Sequence, residues 1–273
     1  MLPSIKIFNF ELSSFLLFIG LGFLAGFFFA RFHLREAKLP RHFFFHTVIL
    51  ILSGAFVGAK IYYIVQSLDL FLKNPVGVFF SLSGTGWFGG FLLCTLLMLL
   101  YCRKKRLPFF YLADVLVPTV PLGIIFGRFG CFLAGDACYG IPTDLPWGMS
   151  FPNGAAPTLL AVHPTQLYEV LANAVIFICL IKLNKSKPKD GYVLAMYLIL
   201  SSSTRFFVEF IRLSPIVWWG LTLPQIISIC LFAIGTGLLL RRRHSDLFDE
   251  VNFLSIADKR RMIYQAKKML LIR

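Results

Sequence analysis

The sequence predicts an all-α integral membrane protein of about seven transmembrane helices, with the N-terminus outside and the C-terminus in the cytoplasm. Three observations carry that prediction: an apolar composition, seven apolar segments of membrane-crossing length, and an alternation of charge between them. Hydrophobic residues make up 58% of the chain and charged residues 15%, against roughly 45–50% and about 25% in soluble domains. This excludes an ordinary soluble enzyme, an acidic disordered chain and a secreted disulfide scaffold. Glycine and phenylalanine are abundant, and packed membrane helices need small residues where they touch.

The segments are 11–30, 44–65, 84–101, 109–134, 164–181, 191–211 and 223–240. Each is close to the roughly 20 residues that cross a hydrocarbon core. The first is too long for a signal peptide, and its strong charge follows it rather than precedes it, so it reads as a retained span. Basic clusters occupy every second interval: Arg31, Arg35, Lys38 and Arg41; Arg103 to Arg106; Lys182, Lys185, Lys187 and Lys189; Arg241 to Arg243. The other intervals hold only Lys6 and Lys73 as cations ahead of the fourth span. Cytoplasmic loops carry the excess of Lys and Arg, which sets the orientation.

Residues 1–243 thus form one polytopic domain, and 244–273 a basic cytoplasmic tail. In the tail Lys259, Arg260, Arg261, Lys267, Lys268 and Arg273 interleave with Met262, Ile263, Met269, Leu270 and Leu271. That pattern suits an amphipathic helix on the inner leaflet or a solvated topogenic tail. The net charge of +14 lies beside membrane spans, where anionic membrane lipids are the nearer partner. No basic soluble domain exists to bind nucleic acid, so none is expected. The six cysteines show no metal-ligand spacing, and no metal is expected. Cys131 and Cys138 lie near the outer face, where a disulfide is chemically possible.

Ionisable residues inside spans are costly and mark functional sites. Arg205, Glu209 and Arg212 fall at i, i+4 and i+7 of the sixth span, on one stripe that Ser201 extends. At 1.5 Å per residue Arg205 lies about 21 Å along its span, Arg128 about 28 Å and Lys60 about 24 Å, all in the outer half. Tyr168 and Glu169 open the fifth span from outside. Cations outnumber carboxylates at this common depth, which calls for an external anion such as a phospholipid phosphate. Arginine offers the planar fork for it. The loop from Gly127 to Glu169 brings Arg128, Asp136, Tyr139 and His163 into one Gly- and Pro-rich stretch. Its Gly135 and Gly140 permit tight turns and close approach of a ligand.

On these residues the sequence resembles the prolipoprotein diacylglyceryl transferase family. The family pattern G-R-x-G-N-F-x-N-G-E is similar to Gly127-Arg128-Phe129-Gly130-Cys131-Phe132-Leu133-Ala134-Gly135-Asp136. Pro146-Trp147 and His163-Pro164-Thr165-Gln166-Leu167-Tyr168-Glu169 follow in the family's order. Arg205-Phe206-Phe207-Val208-Glu209-Phe210-Ile211-Arg212 matches the block R-F-x-x-E-x-x-R, and Gly58-Ala59-Lys60 resembles a G-A-R segment. The resemblance runs from about residue 10 to 240. The chain departs from it at Phe88, where the family often has a histidine, at Phe15 in place of a tyrosine, and at Cys131 and Asp136 in place of Asn and Glu.

The resemblance implies a bacterial inner-membrane enzyme whose substrates are phosphatidylglycerol and a prolipoprotein signal peptide bearing a lipobox cysteine. The thiol attacks a glycerol carbon of the lipid, giving a diacylglyceryl thioether and glycerol phosphate. Negative charge develops on the departing phosphate, which calls for cations. Arg128 and Arg205 are the candidates, with Arg212 and Lys60 in support. A free thiol with pKa near 8.5 also needs activation, and the candidate bases are His163, Asp136 and Glu209. Tyr139, Gly140, Gly135, Gln166, Tyr168 and Glu169 complete the expected substrate site. The chemistry requires neither metal nor cofactor. A transferase with another lipid donor or thiol acceptor, and a non-catalytic lipid-binding or transport protein, are the alternatives at this point.

Overall fold

The computed structural model describes residues 2–7, 10–36, 41–66, 68–80, 87–105, 107–186 and 190–244. The basic tail beyond 244 and the Phe88 side chain lie outside the described residues. In chain order the elements are β1 (Ser4–Ile7), β2 (Phe10–Ser13), α1 (Ser14–Glu36), α2 (Arg41–Gln66), α3 (Leu68–Lys73), α4 (Pro75–Phe80), α5 (Trp87–Lys105), α6 (Phe109–Leu116) and α7 (Thr119–Ala134). Then follow β3 (Met149–Phe151), β4 (Thr158–Val162), α8 (Thr165–Lys185), α9 (Tyr192–Glu209), β5 (Ile216–Trp218), β6 (Leu221–Thr222) and α10 (Leu223–His244).

Among the described residues, five helical segments are long and apolar enough to cross a membrane: Ser14–Leu34, Phe43–Val65, Phe109–Ala134, Thr165–Lys185 and Leu223–Arg241. The other two expected spans are helical as α5 and α9. The protein is an integral membrane protein built of helices, and its surface agrees. Phe23, Phe28, Leu171, Val175 and Ile178 are all more than half exposed, an apolar exterior that suits lipid rather than water.

Three differences from the sequence expectation have local causes. The first helix starts at Ser14, because residues 10–13 pair with 4–7 as an antiparallel ribbon. Leu2 N–H donates to the Leu133 carbonyl at 3.0 Å and ties that ribbon to the end of α7. The fourth span is two helices, since Pro118 and Pro121 lack the N–H groups that would bond back into α6. Both prolines are fully buried. The long loop after α7 and the α9–α10 connection each contain a two-stranded antiparallel ribbon, β3–β4 and β5–β6, that apolar periodicity did not signal.

The chain divides into two compact units. Residues 34–109 of one unit carry α2 to α5, where α2 and α5 pack closely. Gly58 lies against the Gly89 carbonyl, so any Cβ there would collide with it. Lys60 of α2 is buried in this unit and donates to the Val78 carbonyl at 3.5 Å.

The other unit, residues 1–33 with 110–252, holds α7, α8, α9 and α10 around Val117, Ile176, Leu180, Val193, Tyr197 and Leu198. Its α9 starts from an unusual cap. Gly191 has φ +91, and the buried Asp114 carboxylate of α6 accepts N–H bonds from Gly191 at 2.6 Å and Leu194 at 2.8 Å. One side chain thus satisfies two of the amides that a helix start leaves unpaired. Replacing Asp114 with Ala is expected to lower stability by about 2–3 kcal/mol, because both donors stay buried without acceptors. Asp114→Asn should keep part of it. Thermal unfolding of the detergent-solubilised protein measures the difference, and an unchanged midpoint in Asp114→Ala would remove this cap from the account.

Candidate active site

The site is built where the ends of α7, α8 and α9 meet. Arg128 projects from the last two turns of α7, Glu169 from the first turns of α8, and Arg205 and Glu209 from the end of α9. Arg212 follows in the turn after it. Glu169 is the hub. Its Oε2 pairs with Arg128 Nε, while its Oε1 takes Arg205 at 2.8 Å and Arg212 at 3.3 Å. Arg205 also spans to Glu209 Oε2 at 2.9 Å, the i, i+4 pair read from the sequence. Glu209 Oε1 accepts from Thr222 Oγ1 at 3.2 Å, which carries the network to the start of α10.

Both carboxylates are almost fully buried, and the three arginine side chains remain 13–30% exposed. The arginines are thus the more exposed partners of two buried anions. Three guanidiniums face two carboxylates, so one positive charge is left over. Close by in α8, Gln166 is 1% exposed, and neither of its amide atoms has a hydrogen-bond partner. Buried polar atoms are normally satisfied, so this amide has a donor and an acceptor to offer.

A second polar chain stands beside the hub. Trp147 Nε1 donates to Tyr168 Oη at 2.8 Å, and Tyr168 Oη meets His163 Nδ1 at 3.2 Å. Residues 136–163 are held by backbone bonds that the sequence does not announce. Gly140 N–H donates to the His163 carbonyl, Ile141 N–H to the Ile211 carbonyl, and His163 N–H back to Ile141. Gly140 also bridges to Arg212. A Cβ at Gly140 would strike the Ile211 carbonyl, so glycine is required where the loop crosses the end of α9.

Of the residues singled out above, the fold brings Arg128, Glu169, Arg205, Glu209 and Arg212 into one network. His163 and Tyr168 lie in the second chain. Tyr139 stacks on Phe151 and donates its hydroxyl to the Ala156 carbonyl at 3.3 Å, a loop contact. Gly135 takes the left-handed conformation, φ 60, that ends α7. Asp136 Oδ1 accepts from Cys138 N–H at 3.0 Å. Lys60 belongs to the other compact unit, on Val78.

Sequence pattern alone did not give Trp147 as a polar partner or Thr222 as a ligand of Glu209, and it gave Cys138 only as a possible disulfide partner of Cys131. The Cys138 thiol is held below the ordinary thiol range by its hydrogen bond with Cys131, aided by the Arg128 and Arg212 charges and opposed by burial and Asp136. Its nearness to Cys131 arises from a chain reversal that spacing alone does not reveal.

Comparison with known proteins gives a consistent result. A model of the family described as prolipoprotein diacylglyceryl transferase matches residues 3–241. A phosphatidylglycerol–prolipoprotein diacylglyceryl transferase of Finegoldia magna is 30% identical over 239 residues, 86% of this chain and 93% of the relative. Proteins of the same name from Bordetella parapertussis and Chlorobaculum tepidum are 35% and 31% identical, over 72% and 77% of this chain and 75% and 79% of their own lengths.

Proposed function

Because the chain belongs to the prolipoprotein diacylglyceryl transferase family, we propose that its arginine network is the phosphate clamp of a lipid transfer reaction. The protein is a membrane transferase of lipoprotein biosynthesis, moving a diacylglyceryl group from phosphatidylglycerol to a prolipoprotein. Its acceptor on this reading is the lipobox cysteine of the prolipoprotein signal peptide, presented at the outer face of the bacterial inner membrane. Seven crossings with the N-terminus outside fit the alternating basic intervals. Residues 1–243 then form the transferase domain and 244–273 its cytoplasmic tail.

In the proposed step the acceptor sulfur bonds to the glycerol carbon that carries the phosphate. That carbon's bond to the phosphate oxygen breaks, and glycerol phosphate leaves with the electron pair. The phosphate gains a full negative charge, which the surplus cation of the Arg128, Arg205 and Arg212 network offsets. That surplus is the observation which carries the reading. Glu169 and Glu209 hold the guanidiniums in place beforehand, so little reorganisation remains for the reaction itself. Gln166 supplies donor and acceptor to the headgroup, and Tyr168 and Trp147 line it.

The thiol proton goes to a base. Glu209 is engaged by Arg205 and Thr222, and Asp136 by the Cys138 amide. His163, whose Nδ1 meets Tyr168 Oη, is the imidazole among the three candidates and the base of this reading. Replacing His163 with Gln should cut turnover about a hundredfold with little change in the lipid KM. Turnover equal to wild type would remove it.

Reconstitution of the purified protein with phosphatidylglycerol and a lipobox peptide tests the whole reading. A thioether product by mass spectrometry, dependent on the peptide cysteine, is the expected result. Absence of product in vesicles where a relative is active would overturn it.

A further inference from the structure

The chain reversal at Gly135 gathers three metal-binding donors. Cys131 lies in the last turn of α7, and Asp136 and Cys138 follow the left-handed glycine. Their two sulfurs and a carboxylate oxygen lie within 4.8 Å of one another. Cys131 is buried and the other two are half-buried. The group is held from outside as well as within, since Cys138 N–H fixes the Asp136 carboxylate and Thr165 Oγ1 donates to the Cys138 carbonyl.

We propose that Cys131, Asp136 and Cys138 form a binding site for a borderline-soft divalent cation of the zinc(II) class. Zinc binds thiolate sulfur at about 2.3 Å and carboxylate oxygen at about 2.0–2.2 Å, so tetrahedral ligands sit roughly 3.5 Å apart. Contraction of the cluster by about an ångström at its widest pair brings it to that spacing. Two thiolates and a carboxylate suit zinc better than the hard cations, which prefer oxygen alone. Three protein ligands leave a fourth position for water.

Two arginines and the Asp136 carboxylate set the charge around the site. Arg128 stands one turn before Cys131 and feels both sulfurs, and Arg212 faces Cys138. On binding, the two thiols give up their protons, and the divalent cation offsets the two thiolate charges in this largely buried place. The carbonyl end of α7, where Cys131 lies, also favours a cation. Bound there, the ion pins the loop that carries Tyr139 and Gly140 to the helix that carries Arg128. This inference goes beyond the transferase reading and does not depend on it.

The test is titration of the full-length protein, purified in detergent under reducing conditions and stripped with a chelator, with cobalt(II) and then zinc(II). One equivalent of cobalt should bind and give thiolate-to-metal absorption in the near ultraviolet, and zinc should bleach it. The Cys131→Ser/Cys138→Ser double variant should lose the absorption, and Asp136→Asn should weaken binding about tenfold or more. Failure of the wild-type protein to bind either metal at micromolar concentration would overturn the proposal. So would the finding, by alkylation and intact mass of a second preparation isolated without reductant, that Cys131 and Cys138 are joined as a disulfide. Neither outcome requires transfer activity, so failure here leaves the transferase reading standing.

Discussion

Replacing Arg128 with Gln is expected to lower diacylglyceryl transfer by about a thousandfold while the protein still inserts and folds. One preorganised donor aimed at developing charge is worth about 10²–10³ in turnover. Arg128 also supplies part of the positive surplus, so its removal changes both geometry and charge. Without it, Arg205 and Arg212 face Glu169 and Glu209 as equals, and the network has no net charge to offer a leaving phosphate. Arg128→Lys separates the two contributions. The ammonium restores the charge but not the planar fork, so its turnover should fall between the two. Peptide thioether formation in vesicles, with circular dichroism as a check on folding, gives the readout. Turnover of Arg128→Gln within tenfold of wild type would end the clamp interpretation.

Glu169→Gln should be the most destabilising single change in the site, by about 3–5 kcal/mol. Removing one partner of a buried ion network leaves the opposite charges uncompensated, and here one carboxylate serves Arg128, Arg205 and Arg212 together. The replacement keeps volume and one acceptor oxygen but no charge, so the three guanidiniums repel. A lower thermal midpoint in detergent is the expected result. The variant should also respond to anions: glycerol phosphate should raise its midpoint more than that of the wild type, because the added charge replaces the lost one. Equal midpoints with and without glycerol phosphate in both proteins would show that the guanidiniums do not present an anion site.

Much of this network was legible in the sequence, for a physical reason. Charge inside an apolar span is so costly that Arg205, Glu209 and Arg212 stand out at once, and the period of the helix places them on one stripe. Helix existence was equally legible, since apolar length reports it directly. What hydropathy averages away is the interior of a segment: Pro118 and Pro121 break the fourth span without interrupting its apolarity. The hub role of Glu169 was not legible, because it depends on three helix ends meeting. Cys131 and Cys138 could be read as a pair, but Asp136 beside them could not, since that depends on Gly135 adopting the left-handed conformation. Lys60, which its depth in the span placed among the candidates, donates to the Val78 carbonyl within its own unit.

The way residues 136–163 are tied down limits how substrates can enter. A lid must swing on a hinge, and the energy of opening is the sum of the contacts that open with it. Here Ile141, Ala155 and Ala156 give amide bonds to Ile211, Ala134 and Gly135 outside the segment, the Cys138 carbonyl accepts from Thr165 and Trp147 donates to Tyr168, while Gly140, Thr143 and His163 bond within the segment. At about 1 kcal/mol net for each bond to the outside, lifting the segment as a body costs several kcal/mol before any packing is lost. Such a state is populated roughly once in thousands of molecules or less. The segment therefore has little compliance and acts as a fixed wall. Two large amphiphiles must come and go past it without moving it, and the lipid-facing flank of the helices is the approach that asks for no such motion.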